Sequence, residues 1–448
     1  MPAPIYDALL AQAACGRVPL HMPGHKNTPG SALPPELAAF LRLDSTELPG
    51  TGDLFAGFGA IREAEALAAD LFGTAQTLFS AGGATLCIQA MLRCALPHGG
   101  KLICGRVLHR AAADAFCLLG IEPVFPDCDG SAGGHFPGRV TPQALKSALR
   151  QHPDARAVYV TCPDYFGTLS DLSSLAKAAH AVGLPLLVDA AHGAHLDFLN
   201  AARGAVTAGA DFAAESAHKT LPALTGAAWL HLAHASDTDS ARHAMRMFGS
   251  SSPSFPILLS LDCARAWLAE RGAYELARLA ERVAISKTLL EKLGFLQPPG
   301  DVDPLRIAFA VPKDCGAGRF LRENGIEPEY AEQGKVILIP GAANGIDDFA
   351  RLGTALSALA VELEAFLPCD ETSPKFPIPQ RIMSPREAFL ASVICVPVDR
   401  AVGKISARNI IPCPPAVPIV LAGEEINGTV VGALAAAGID SVLVASEA

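Results

Sequence analysis

Short apolar runs alternate with helix-patterned Ala/Leu segments from about Phe55 to His231, and this alternation restricts the chain to βαβ units around a mainly parallel sheet. Leu102-Ile103-Cys104, Ala157-Val158-Tyr159-Val160, Leu186-Leu187-Val188-Asp189 and Ala227-Ala228-Trp229-Leu230-His231 read as strands. Ile61 to Phe72, Thr85 to Leu96, Leu172 to Val182 and Tyr274 to Leu293 read as helices. The chain has 448 residues, half of them apolar and 18% charged, so it can bury a large core and divide into two or three domains. Pro298-Pro299-Gly300 and the stretch from Pro368 to Pro385 carry turn chemistry and read as linkers. The expected division is an arm over 1–55, a major α/β domain over 56–297, a small α+β domain over 298–370 and a C-terminal domain over 371–448. The Pro- and Gly-rich arm reads as a segment that packs on a partner subunit.

Composition removes several function classes. No apolar run reaches the roughly 20 residues that span a bilayer, and Met1 to Leu20 lacks the pattern of a secretory signal. The reading is therefore a cytoplasmic protein without membrane segments. Twelve cysteines lie scattered without a Cys-x-x-Cys pair, which argues against a disulfide framework and a structural zinc site. A net charge of −10 with no basic run gives no footprint for nucleic acid.

The chemistry concentrates at two strand ends. Pro185-Leu186-Leu187-Val188-Asp189 reads as a buried strand ending in a carboxylate, followed by Ala190-Ala191-His192-Gly193-Ala194-His195. Thirty positions after that acid, Lys219 follows the apolar segment 209–214, within Ser216-Ala217-His218-Lys219-Thr220. Such a lysine can form a Schiff base once its proton is lost, and the acid can hold a pyridine nitrogen protonated, as a pyridoxal phosphate site requires. Ser80-Ala81-Gly82-Gly83-Ala84-Thr85 opens a helical pattern, where backbone N–H groups and the helix dipole attract a phosphate. Ser216 and His218 are further phosphate donors in this reading, and His109, after the 102–104 strand, stacks on the ring.

Each residue also has a plainer reading. The glycine pair of the 80–85 stretch is a tight turn, His109 is an exposed loop histidine, Asp189 is a helix N-cap, and Lys219 is a surface lysine. His192 and His195 could pair or bind metal, but no third ligand is recognisable, so no metal is expected.

Taken together, these residues resemble the fold-type I, pyridoxal phosphate-dependent Orn/Lys/Arg decarboxylase family in its short bacterial form. The resemblance extends to Pro19-Leu20-His21-Met22-Pro23-Gly24-His25-Lys26, Asp44-Ser45-Thr46-Glu47-Leu48-Pro49-Gly50 and Asp53-Leu54-Phe55. Near the end, Ser384-Pro385-Arg386-Glu387-Ala388-Phe389, Ala401-Val402-Gly403-Lys404-Ile405-Ser406 and Pro412-Cys413-Pro414-Pro415-Ala416-Val417-Pro418 are similar to the family's C-terminal domain. The implied fold is a transferase-like large domain with a mainly parallel sheet and a smaller α+β C-terminal region. The resemblance implies that Lys219 carries the covalent link to pyridoxal 5′-phosphate and that Asp189 pairs with its ring nitrogen. By the same resemblance His109 and Ala191 cover the two ring faces, and Ser216, His218 and Ser80, Gly82, Gly83, Ala84 and Thr85 hold the phosphate. It implies α-decarboxylation of lysine, ornithine or arginine, with Lys219, groups on the His192 side or a donor from the partner subunit returning a proton to Cα. Asp44, Glu47, Asp53 and Glu424 are the carboxylates that could attract a basic substrate, Asp53 and Glu424 foremost. Glu424 partly matches a Pro-Gly-Glu motif near the substrate entrance, with Ala422 in place of proline. Ser251-Ser252-Pro253-Ser254-Phe255-Pro256 looks like a segment that completes a neighbouring subunit's site, which implies a homodimer.

Three further positions depart from the family. Members often have Glu at Ala190, Gln at Glu215 and Gln at Gly226, and the last two flank the lysine segment. Two rivals follow. One is an aminotransferase or lyase of the same fold, favoured if Arg306 points into the cofactor pocket, whereas an Arg306 facing solvent favours decarboxylation. The other is a catalytically retired binding protein.

Overall fold

The structure is a computed structural model, and it describes residues 2–27, 34–126, 128, 136–199, 203–363, 378–412 and 417–446. A mainly parallel seven-stranded sheet contains β1 (Gln76–Ser80), β2 (Gly100–Cys104), β3 (Ile121–Val124), β4 (Ala157–Thr161), β5 (Leu186–Asp189), β6 (Phe212–Ser216) and β7 (Ala228–Leu232). Its strand order is β1-β7-β6-β5-β4-β2-β3. β2 runs parallel to β3 and β4, whereas β7 is antiparallel to both β1 and β6. The expected strands and helices appear with their ends within two residues of their sequence positions. Strands β4 to β7 are buried almost throughout, as expected for strands covered on both faces.

Contacts divide the chain into two units, Met1–Cys94 with Asp189–Arg278, and Ala95–Val188 with Leu279–Ala448. In the first unit the Ala60–Phe72 helix buries Ile61, Ala64, Ala68 and Phe72, a spacing that lays one apolar stripe against the core. Phe72 packs on Trp229 with ring centroids 5.0 Å apart, and burying a side chain of this size is worth about 1.5–3 kcal/mol. The expected arm begins with a helix, Pro4–Ala14, that packs on its own chain. Ile5 and Leu9 are buried there, and Ile5 N donates to Asp262 Oδ2 at 2.9 Å.

In the second unit β8 (Ile307–Ala310), β9 (Tyr330–Glu332) and β10 (Lys335–Leu338) form an antiparallel sheet in the order β8-β10-β9. Further on, β11 (Val393–Pro397) pairs antiparallel with β12 (Ser441–Ala445). The Gly428–Ala436 helix supplies Val430 and Leu434 to the small core beside this pair, with Val420, Ile426 and Val444. Cys413 to Ala416 of the expected C-terminal signature lie outside the described residues. No helix among the described residues is long and apolar enough to cross a membrane.

Candidate active site

β5 and β6 are neighbours in the sheet, and each ends in a reactive group. Asp189, the last residue of β5, is 1% exposed, and its Oδ1 accepts the N–H of Ala191 at 3.1 Å. It is therefore a strand-end acid that closes its own turn, and the helix N-cap alternative is set aside. That turn is held by Ala190 N donating to Ala214 O at 2.9 Å and Gly193 N to Ala190 O at 2.7 Å. It presents His192, whose Nε2 lies 3.0 Å from Nζ of Lys219. Lys219 sits in the short Ala217–Thr220 helix directly after β6 and is half-buried, so the surface-lysine alternative is also set aside.

The 80–85 turn belongs to the same unit. Ser80 Oγ accepts the N–H of Gly82 at 3.1 Å and donates to Gly83 O at 3.0 Å. Gly83 N donates to Gly226 O at 2.8 Å, so this amide is committed to the backbone. The amides of Ala84 and Thr85, in the first turn of the Gly83–Ala95 helix, have no acceptor among the described residues. They provide the open donors and the positive helix end that a phosphate needs. Cys87, in the next turn, is hydrogen-bonded by Ser80 and feels the charge of Asp189; burial pushes its thiol up to about 12. Ser216 is buried, and its hydroxyl makes no cap bond. His218 Nδ1 faces Ala227 O at 3.0 Å and donates to it, so its Nε2 can donate to a phosphate only when the ring is charged.

Two departures acquire physical explanations. Gly226 has φ +95°, a conformation that favours glycine, and its carbonyl anchors the 80–85 turn. Glu215 neighbours Ser216 on β6 but faces the opposite side of the sheet, because side chains alternate along a strand. It is buried there with His231, Oε2 to Nε2 at 3.2 Å, and His231 Nδ1 lies 2.8 Å from Thr77 Oγ1. Burial and the charge of Glu215 push nearby Asp197 up to about 7, with His231 opposing.

Other expected residues have hydrogen-bond partners of their own. His109 belongs to the second unit and is half-buried at the N-cap of the Arg110–Leu119 helix, where its Nδ1 accepts the N–H of Ala111 at 3.1 Å. Asp53 Oδ1 accepts the amides of Phe55 and Ala56 at 2.8 and 2.7 Å. Asp44 faces His25 Nε2 at 3.0 Å, and Glu47 accepts the Thr46 hydroxyl at 2.6 Å. Glu424 is buried and bound by both terminal nitrogens of Arg106. Sequence reading passed over Arg106, whose only signal was its place three residues before His109. Arg306 does not face solvent. It precedes β8, is 2% exposed, and donates to Tyr165 O at 3.2 Å among Asp164, Asp303 and Glu329.

A buried acid, a histidine and a lysine at adjacent strand ends, beside an open helix N-terminus, are the parts of a fold-type I pyridoxal phosphate enzyme, and the residues of the first unit fit that cofactor. The sequence profile "Orn/Lys/Arg decarboxylase, major domain" matches residues 3–298, and "Orn/Lys/Arg decarboxylase, C-terminal domain" matches 372–437. The chain belongs to the Orn/Lys/Arg decarboxylase family and is a pyridoxal phosphate-dependent carbon–carbon lyase. It is 32% identical over 451 residues to arginine decarboxylase of Bacillus subtilis (strain 168), covering 95% of this chain and 91% of the relative. Arginine decarboxylase of Halalkalibacterium halodurans is likewise 32% identical over 452 residues, covering 95% of this chain and 91% of the relative. Constitutive lysine decarboxylase of Escherichia coli superposes with a TM-score of 0.82 at 19% identity, covering 99% of this chain and 82% of that structure. Lysine decarboxylase A of Pseudomonas aeruginosa gives the same TM-score at 19% identity, covering 99% and 80%. These likenesses in structure support the fold.

Proposed function

We propose that the protein removes the α-carboxylate of arginine as CO2 and releases the corresponding amine, acting as a cytoplasmic homodimer. The observation that carries the decarboxylase chemistry is the Lys219–His192 contact at 3.0 Å beside buried Asp189. Arginine is preferred over lysine and ornithine because the relatives named arginine decarboxylase match 94–95% of the chain at 30–32% identity. The half-buried, turn-anchored carboxylate of Asp53 is the proposed attraction for the substrate's cationic end.

In this reading Lys219 holds the cofactor covalently, Asp189 holds a proton on its ring nitrogen, and Ala191 and His109 lie against its ring. Ser80, Gly82, Gly83, Ala84 and Thr85 wrap the phosphate with Ser216 and His218. Pyridoxal 5′-phosphate, when bound, supplies the sink for the electron pair left behind by CO2. His192 Nε2 is within reach to take the ammonium proton of Lys219, which frees the amine as a nucleophile. As the bond from Cα to the carboxylate breaks, the same Lys219–His192 pair is placed to return one proton to Cα. The strand cover over Asp189 excludes water, which strengthens its hold on a positive partner.

The dimer is supported by apolar surface in the 18–22 stretch, where Val18 is 79% and Leu20 90% exposed, and by the exposed Ser251 and Ser252. We place the arm over 1–55, the cofactor domain over 56–297, the small domain over 298–370 and the C-terminal domain over 371–448. The profile matches support the two later boundaries by ending at 298 and resuming at 372. Amine-product analysis of the purified enzyme with arginine, lysine and ornithine tests the assignment. Agmatine as the dominant product is expected; turnover of lysine or ornithine alone changes the substrate, and CO2 release from none of the three overturns the function.

A further inference from the structure

Glu424 is engaged before any substrate arrives. Arg106 grips it with both terminal nitrogens, NH2 to Oε2 at 2.9 Å, and Leu421 N donates to the same oxygen at 2.7 Å. The guanidinium also lies 4.7 Å from the ring centre of Phe125. A planar fork bound in this way fixes orientation as well as distance. Arg106 stands in the short loop between β2 and the Arg110–Leu119 helix, three residues before His109.

The same helix is held farther along by the same end of the chain. Asn409 Nδ2 donates to Asp114 Oδ1 at 2.9 Å, and Arg386 NH1 donates to Leu118 O at 3.3 Å. Cys117 packs against Ala388 and Ala422. Residues of the matched C-terminal domain therefore hold the helix that begins at His109 near its start, middle and end. The arginine fork engages both carboxylate oxygens of Glu424 and balances its charge, and the Leu421 amide takes a second site on Oε2.

We propose that Glu424 is a positioning residue, which through Arg106 fixes the 105–109 loop and presets the ring of His109. The inference rests on the reading of His109 as a group that lies against the cofactor ring. His109 Nδ1 is bound to Ala111 N at 3.1 Å, so the ring's tilt follows the loop and the helix start together. The C-terminal domain then has a definite task in the reaction.

The test uses the full-length enzyme and the variants Glu424→Gln, Arg106→Lys and His109→Asn. The readouts are hydrogen exchange at the Ala111 amide, pyridoxal phosphate affinity by absorbance titration, and kcat and KM measured separately. Glu424→Gln and Arg106→Lys are expected to exchange Ala111 about tenfold faster or more and to bind the cofactor correspondingly more weakly, the factor that follows from losing a charged hydrogen bond, with KM for the amino acid unchanged. Arg106→Lys keeps the charge and only loses the fork, so it serves if Glu424→Gln fails to fold. A raised KM in Glu424→Gln with wild-type Ala111 exchange and cofactor affinity makes Glu424 a substrate contact and overturns the proposal. His109→Asn keeps a capping oxygen but removes the ring. Wild-type cofactor affinity in that variant ends the reading of His109 itself, whereas unchanged Ala111 exchange in Glu424→Gln and Arg106→Lys ends only the proposed clamp.

Discussion

Lys219 Nζ lies 3.0 Å from His192 Nε2, so the amine that must lose a proton and the ring that can take it are already in hydrogen-bond contact. Replacing Lys219 by Ala is expected to abolish covalent retention of the cofactor after borohydride reduction, seen by intact mass. His192→Phe, which keeps the bulk but not the base, is expected to lower kcat by about 10²-fold or more while the cofactor remains bound.

Asp189 combines near-complete burial with a turn bond in which its Oδ1 accepts the N–H of Ala191. Asp189→Asn preserves that acceptor and removes the charge. The expected result is a kcat lower by about 10²–10³-fold with a shifted cofactor absorbance and little change in melting temperature, since what is lost is preorganised charge.

At Gly226 a side chain would have to adopt φ +95° and would press on Ile257 Cδ1 at 3.3 Å. Gly226→Gln, which installs the residue other family members often carry, is expected to cost about 1–2 kcal/mol in backbone strain. The expected signature is a lower melting temperature together with weaker pyridoxal phosphate binding, because the Gly226 carbonyl holds Gly83 N.

Asp197 provides a stability test with a definite sign. Its folded-state value, raised to about 7, lies above that of an unfolded aspartate, so the folded protein binds this proton more tightly. The contribution is present below the unfolded value, near pH 4, and is lost as pH rises toward 7. Asp197→Asn should flatten this slope and leave the variant more stable than the parent at pH 8, by about 1 kcal/mol or more. Melting curves from pH 5 to 8 check it; equal slopes in both proteins would remove Asp197 from the account.

Arg306 is the cation of a buried cluster that contains Asp164, which burial pushes up to about 6, and Asp303. Arg306→Met strands these carboxylates and is expected to destabilise by about 3–5 kcal/mol in chemical denaturation. The protein that remains folded should keep its KM, because Arg306 is held by Tyr165 O and its acidic neighbours. A selective rise in KM would return it to the role of substrate clamp.

Lys219 and Asp189 were legible because the same local pattern that makes a strand also places the residue that ends it. Apolar runs of four or five residues, broken by an acid or a lysine among small residues, suffice to mark β5, β6 and their termini, and the Ser80–Thr85 turn announces a helix start in the same way. Tertiary structure alone decided which amides of that turn stay open, since Gly83 N is taken by Gly226 O from a distant turn. It also decided that Glu215 belongs with His231 and that Glu424 belongs to Arg106, 318 residues away. Periodicity reports which face of an element is buried, whereas the partner met by a buried charge depends on packing between segments that no local pattern connects.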